Sequence, residues 1–141
     1  MPPQLGQIVE TILYTSSVPS LVAWYKDVFS ITPFESNEAL AGFSLPNDSI
    51  LLLFDRSAIT ADRHPPGGTI PKHGCPTGLG QHIAFACNGR EELKEWEEHF
   101  KVKGVEIIGR MEWERGGSSV YVKDWEGHVI EVMTRNVWRV Y

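Results

Sequence analysis

The order of predicted elements occurs twice along this sequence, and this internal repeat restricts the folds that the chain can adopt. Residues 8–15 are rich in β-branched and aromatic side chains, which predicts a strand, and a helix is expected to start at Ser16 to Pro19. Residues 81–87 and 90–103 repeat this strand and helix. Each helix precedes three strand candidates, so we predict two strand–helix–three-strand (βαβββ) modules and the α+β class.

The remaining strands are marked by alternating apolar residues and by turn signals. In the first half, strand candidates cover residues 33–37, 39–45 and 50–54. In the second half, residues 105–113 predict one or two strands. They are followed by a hairpin whose strands are 118–122 and 129–133.

The hairpin turn leads directly to an acidic residue in the middle of a strand. Asp124 and Gly127 are the residues that a tight four-residue reversal requires. Glu131 follows on the second strand, and its neighbours Ile130 and Val132 must face the other side. Two explanations are open: this face is wet, or the carboxylate is buried beside a cation or a metal.

Superposing the two halves places polar residues at equivalent positions. Glu10 aligns with His82, and Leu52 aligns with Glu131. Two carboxylates and one imidazole suit Mn²⁺, Fe²⁺, Ni²⁺, Co²⁺ or Zn²⁺, and three protein ligands leave positions open for a substrate. The alternative is a packed histidine with two solvated carboxylates. Their repeat-related positions favour the metal site.

Composition limits the other classes of function. The chain has 141 residues and a net charge of −5 without a basic stripe, which argues against a nucleic-acid partner. The longest apolar run, residues 50–54, is too short to span a membrane, and the N-terminal residues show no secretory signal. Cys75 and Cys87 are expected to be free thiols, Cys87 in the core, so we expect a cytoplasmic protein without a membrane partner.

The predicted organisation is a single domain over residues 1–141. Module one covers about residues 6–55, and module two covers about residues 80–134. Residues 56–79 are rich in Pro and Gly, which indicates a linker or a lid. Residues 135–141 form a C-terminal tail that the pattern leaves unassigned.

Four segments of the chain resemble the vicinal oxygen chelate superfamily. This family includes glyoxalase I, fosfomycin-modifying enzymes, extradiol dioxygenases and bleomycin-resistance proteins. The resemblance covers nearly the whole chain, and its carriers are residues 10–15 (ETILYT), 24–29 (WYKDVF), 80–85 (GQHIAF) and 124–131 (DWEGHVIE). It implies two βαβββ modules that form an open, curved eight-stranded sheet, a partial barrel around a cavity.

The resemblance also implies a site and its ligands. The metal ligands of the family map to Glu10, His82 and Glu131, with a divalent metal as the cofactor. The fourth ligand of glyoxalase I is replaced by an apolar residue around Leu52, and Glu10 replaces a histidine of extradiol dioxygenases. Tyr121 is similar in position to a substrate-contacting tyrosine of the fosfomycin-modifying branch, or it is a cross-strand packing residue.

The function that the resemblance implies is a metal-dependent lyase or isomerase of the glyoxalase type. Such an enzyme stabilises an enediolate of a small oxygen-rich substrate, and Glu131 is the expected catalytic base. Arg115, next to two glycines, either meets an anionic substrate or lies in a solvated turn. The alternatives are metal-assisted addition of a nucleophile to a small electrophile, and ligand sequestration without chemistry. A homodimer is expected because each module leaves a sheet edge to be covered.

Overall fold

The computed structural model describes residues 8, 10–58, 60–62, 64, 66 and 81–137. Its elements follow the predicted order of strand, helix and three strands, twice, which confirms the α+β class and the two βαβββ modules. The elements are β1 (Glu10–Thr15), α1 (Val18–Phe29), β2 (Glu35–Ser36), β3 (Leu40–Leu45), β4 (Ser49–Asp55), β5 (His82–Ala86), α2 (Arg90–Val102), β6 (Ile107–Glu112), β7 (Ser118–Lys123) and β8 (Val129–Met133). None of the described helices is long and apolar enough to span a bilayer.

Each module forms its own four-stranded mixed sheet with the same topology. The strand orders are β1-β4-β3-β2 and β5-β8-β7-β6. In both sheets the first strand pairs in parallel with the last, and the other pairs are antiparallel. The parallel pair is possible because the helix and two strands form the long crossover that parallel neighbours need.

The registers of the two parallel pairs confirm the superposition of the halves. Ile12 is opposite Leu52 in the first sheet, and Ala84 is opposite Glu131 in the second. Ile12 and Ala84 each lie two residues after the candidate ligand of their own strand. Leu52 therefore occupies the position in module one that Glu131 occupies in module two.

The chain separates into two compact units by its internal contacts. Unit one comprises Met1–Ala23 with Ile31–Gly78, and unit two comprises Trp24–Ser30 with Leu79–Tyr141. The last half of α1 thus packs with unit two. The proposed linker or lid, residues 56–79, lies largely outside the described residues, as do Cys75 and the end of the C-terminal tail.

Unit one buries alternate residues of its parallel strands β1 and β4. Leu13, Leu51 and Leu53 are almost completely buried. Glu10 is exposed and Leu52 is half-buried on the opposite face, as the period of two along a strand requires. At the start of α1, the predicted cap is present because the hydroxyl of Ser17 accepts a hydrogen bond from the amide of Ser20 at 3.3 Å.

Unit two packs α2 through its apolar stripe. Leu93 and Phe100 are buried, as are most residues of β7 and β8, and Cys87 is a buried free thiol as predicted. The helix ends before Gly104, whose positive φ of 69° suits the residue that follows a helix. At the start of α2, Gly89 is the cap residue, and no side-chain cap hydrogen bond is present there. Instead, the preceding amide of Asn88 donates to the carboxylate of Glu92.

The turn between β7 and β8 is built around the carboxylate of Asp124. Its Oδ1 accepts hydrogen bonds from the amides of Glu126, Gly127 and His128, each at 3.0 Å. Its Oδ2 accepts from Nδ1 of His128 at 2.6 Å and from the hydroxyl of Tyr25 at 3.3 Å. All five donors converge on a buried charge, which is the condition under which burying a carboxylate is tolerated. The turn that precedes Glu131 is therefore rigidly defined.

Tyr25 connects α1 to this turn and is itself completely buried. Burial raises its pKa well above the ordinary 10.0, and the neighbouring Asp124 carboxylate adds to the shift. Both effects penalise the phenolate, because its charge would lie in a medium that solvates it poorly and beside a like charge. The neutral hydroxyl is thus part of the folded structure.

We predict that Tyr25→Phe makes folding stability less sensitive to alkaline pH. Above about pH 10 the unfolded chain loses the tyrosine proton while the folded chain keeps it, so the free energy of unfolding of the parent falls as pH rises. At pH 7 the variant should lose about 1 kcal/mol with the hydrogen bond. Urea unfolding between pH 7 and 11 measures both effects. Equal slopes against pH in the two proteins would contradict the prediction.

Candidate functional site

Three predicted site residues meet on one face of the second sheet. Glu131 on β8 lies between its two cross-strand partners, Ala84 on β5 and Tyr121 on β7. The three side chains therefore share one face of the sheet. His82 precedes Ala84 by two residues on β5 and faces the same side. Phe85 faces the opposite side, where its ring lies 5.3 Å from that of Phe29 on α1. The site is therefore on the face of the sheet that the helices do not cover.

The imidazole of His82 is oriented by the backbone of the neighbouring strand. Its Nδ1 lies 2.9 Å from the carbonyl oxygen of Val129. Because a carbonyl oxygen only accepts, Nδ1 carries the hydrogen, and Nε2 of the neutral ring carries a lone pair. A histidine that ligates a metal commonly has this arrangement, in which the other nitrogen donates to a carbonyl group.

Glu131 presents a carboxylate that the protein does not fully satisfy. Only 7% of its side chain is exposed, against 46% for His82. Its Oε2 lies 3.1 Å from Nε2 of His82, and its buried Oε1 has no hydrogen-bond partner among the described residues. A buried carboxylate oxygen without a hydrogen-bond partner destabilises the folded state. A gain in folding stability therefore does not explain the pair of His82 and Glu131.

The contact between His82 and Glu131 requires a positive charge. With a neutral ring, Nε2 and Oε2 are both acceptors, and only a proton or a metal ion between them makes the contact favourable. Two ligand atoms that lie about 2.1 Å from one metal, at right angles, are about 3 Å apart. The observed 3.1 Å is the spacing of neighbouring ligands in such a site. These two residues therefore fit a divalent metal.

The described residues do not contain a complete metal site. No group of three or more His, Cys, Asp or Glu side chains among them is arranged to hold an ion. Glu10, the third predicted ligand, is exposed at the first position of β1 in unit one. Its role as a ligand stays a prediction.

Tyr121 lies beside the pair, directly across from Glu131. Its ring is 6.1 Å from the ring of His82. Burial raises the pKa of the Tyr121 hydroxyl, and the negative charge of the neighbouring Glu131 carboxylate raises it further. The hydroxyl is therefore a hydrogen-bond donor at neutral pH. Arg115, the other predicted substrate contact, is exposed in the turn between β6 and β7.

Sequence patterns did not identify the residues that hold the turn before Glu131. Asp124 has the pattern of a turn residue only, and neither His128 nor Tyr25 has a predicted role at this turn. The four-residue spacing of Asp124 and His128 was the available signal, since a carboxylate and an imidazole at this spacing can meet across a turn. Tyr25, the other side chain that bonds Asp124, is 99 residues away from it in sequence. No local pattern therefore indicates this contact.

Comparison with known proteins identifies the relatives of this fold. The family model described as the Glyoxalase/Bleomycin resistance protein/Dioxygenase superfamily matches residues 5–132. No functionally curated protein matches the sequence.

Several solved structures are similar over nearly the whole chain. A lactoylglutathione lyase from Agrobacterium tumefaciens is 29% identical, with a TM-score of 0.84 and 99% of both chains covered. A glyoxalase/bleomycin resistance protein/dioxygenase from Nocardioides is 19% identical, with a TM-score of 0.73, and the match covers 94% of this chain and 85% of the other. A possible glyoxalase from Bacillus cereus is 18% identical, with a TM-score of 0.63 and coverage of 90% and 97%. The last two similarities support the fold alone.

We predict that Glu131→Leu stabilises the protein in the absence of metal. Leucine replaces a buried carboxylate that has one oxygen without a hydrogen-bond partner in the described ranges, and Leu52 shows that leucine suits the equivalent position of module one. The free energy of unfolding should rise by about 1–3 kcal/mol in urea with a chelator present. The matched control is Glu10→Leu, an exposed position that should change stability by less than about 0.5 kcal/mol. A destabilised Glu131→Leu variant would show that the carboxylate is satisfied without a metal.

Proposed function

The chain belongs to the Glyoxalase/Bleomycin resistance protein/Dioxygenase superfamily, and on that premise we propose that it is a metal-dependent lyase or isomerase of the glyoxalase type. The observation that carries the proposal is the pair formed by His82 and Glu131. Nε2 of His82 and Oε2 of Glu131 are two acceptors 3.1 Å apart, and the buried Oε1 of Glu131 has no hydrogen-bond partner among the described residues, which supports a cation site here. The similarity to a lactoylglutathione lyase makes lactoylglutathione the first compound to test.

Each residue of the proposed site has a distinct role. His82 binds the metal through Nε2 while Val129 holds its ring by accepting from Nδ1. Glu131 binds through Oε2, and Glu10 supplies the third ligand. When bound, the divalent metal supplies the positive charge that stabilises the oxygen made negative when a proton leaves the adjacent carbon.

Glu131 is also the proposed base for that proton. If one oxygen of a carboxylate held the cation, the other could still accept a proton, and Oε1 is the oxygen that has no hydrogen-bond partner among the residues described. The Tyr121 hydroxyl, which remains protonated, orients a substrate oxygen by donating a hydrogen bond. Arg115 is the proposed contact for an anionic group of the substrate.

The cation site is tested by the stability of the protein with added metal. A metal at about 100 times its Kd should raise the free energy of unfolding by about 2.7 kcal/mol. We expect Mn²⁺ or Ni²⁺ to have this effect on the parent, and His82→Ala to remove most of it. His64→Ala, at an exposed histidine, serves as the control. If the parent and His82→Ala respond equally, His82 is not a ligand.

The reaction is tested by proton exchange at the carbon next to the carbonyl group of lactoylglutathione. In deuterated water at saturating metal, the parent should exchange this proton, and NMR measures the rate. Glu131→Gln keeps an oxygen ligand but removes the base, so the rate should fall on the order of 10²–10⁴-fold. Glu10→Gln should weaken metal binding more, with a smaller loss of rate at saturating metal.

The possible outcomes separate the parts of the proposal. Exchange in Glu131→Gln at the parental rate would leave Glu131 as a ligand only. A parent that binds lactoylglutathione without exchange, and without added metal, would indicate a ligand-sequestering protein instead.

A further inference from the structure

We propose that unit two also binds a small organic cation, in a groove between the C-terminal end of α1 and one face of α2. This acidic groove is lined by Phe29, Glu92, Glu95, Trp96 and His99 among others, and its volume is about 370 Å³. A volume of this order suits a small molecule. The groove is on the helix side of the sheet, whereas His82 and Glu131 are on the opposite face, so it is a separate site.

The floor of the groove is aromatic. The rings of Phe29 and Trp96 are 5.3 Å apart and tilted by 49°. Trp96 is half-buried and lines the groove, so part of its ring remains accessible there. The face of an indole ring attracts cations because its quadrupole places negative charge there. Such a surface favours a cation that also has an apolar body.

The walls of the groove carry the carboxylates of α2 that lack a cationic partner. Elsewhere on this helix, Glu91 pairs with Lys94, Glu97 with Arg110, and Glu98 with Lys101. Glu92 contacts only Asn88 in the part of the chain that the structure describes, and Glu95 has no partner there. The uncompensated negative charge of the helix therefore faces the groove.

The end of α1 adds to this negative potential. The last carbonyl groups of a helix carry partial negative charge, and those of α1 are at the groove. Nε2 of His99 donates to the carbonyl oxygen of Val28 at 2.6 Å, which connects α2 to the end of α1 beside the groove. The groove therefore favours a positively charged ligand, because its carboxylates, the end of α1 and its aromatic rings all attract positive charge.

The occupant is an organic cation rather than a metal ion. Among the described residues, Glu92, Glu95 and His99 do not form a group that could hold a metal ion. A cation with methyl or methylene groups around its charge fills the volume, contacts the rings, and leaves the carboxylates to neutralise it at longer range. We therefore assign the groove to small ammonium compounds.

The test is titration of the full-length protein with choline, followed by the NMR signals of the tryptophan indole N–H groups. Trp96→Phe identifies the Trp96 signal. We expect choline to shift this signal saturably, in the millimolar range, and 3,3-dimethylbutan-1-ol, its uncharged analogue, to bind at least about tenfold more weakly. Glu95→Gln should weaken choline binding about 3- to 10-fold. Glu98→Gln is the matched control, because Glu98 is on the same helix but is paired with Lys101. This variant should leave the affinity for choline unchanged.

Three results would overturn the proposal. Equal affinity for choline and the uncharged analogue would mean that the groove is an apolar crevice only. Equal effects of Glu95→Gln and Glu98→Gln would mean that choline responds to the overall charge of the helix. The absence of a saturable shift at Trp96, or displacement of choline by stoichiometric Ca²⁺, would exclude an organic-cation site.

Discussion

The parallel pairing of the first and last strands of each module is the interaction on which the rest of this structure depends. In module two it places Glu131 between β5 and β7, where His82 and Tyr121 reach it from the two neighbouring strands. A slip of one residue in this pairing would turn Glu131 towards the helices and Ile130 towards the site, because strand side chains alternate. The chemistry proposed for His82 and Glu131 therefore rests on register, which backbone hydrogen bonds and the buried apolar face maintain together.

The turn before β8 is the second device that maintains this register. Asp124 gathers three backbone amides, one imidazole and one phenol around a carboxylate that solvent does not reach. An isolated buried charge would be destabilising, but charge-assisted hydrogen bonds from five donors compensate its desolvation. The contrast with Glu131 is informative. Both carboxylates are buried in unit two, yet within the described part of the chain the first has five donors and one oxygen of the second has no hydrogen-bond partner.

The two modules share one topology but differ in polarity at one pair of equivalent positions. Leu52 and Glu131 occupy equivalent positions, and only the second is polar. Module one thus follows the ordinary rule that strand residues near a core are apolar, while module two departs from it where the candidate site lies. Such departures from local stability are typical of functional positions. The acidic groove is a second such departure. Its carboxylates, Glu92 and Glu95, have no cationic partner among the described residues, whereas the other carboxylates of α2 each pair with a lysine or an arginine.

Sequence by itself determined the two βαβββ modules, most element bounds to within a few residues, and the equivalence of Glu10 with His82 and of Leu52 with Glu131. These features are local or periodic, so alternation, helical spacing and turn residues encode them. Tertiary structure decided which candidates meet. It brought His82, Glu131 and Tyr121 together through strand pairing and left Arg115 exposed in a turn. It also joined Tyr25 to Asp124 and opened the groove beside Trp96. No local pattern encodes these contacts, because they depend on packing between elements that are far apart in the chain.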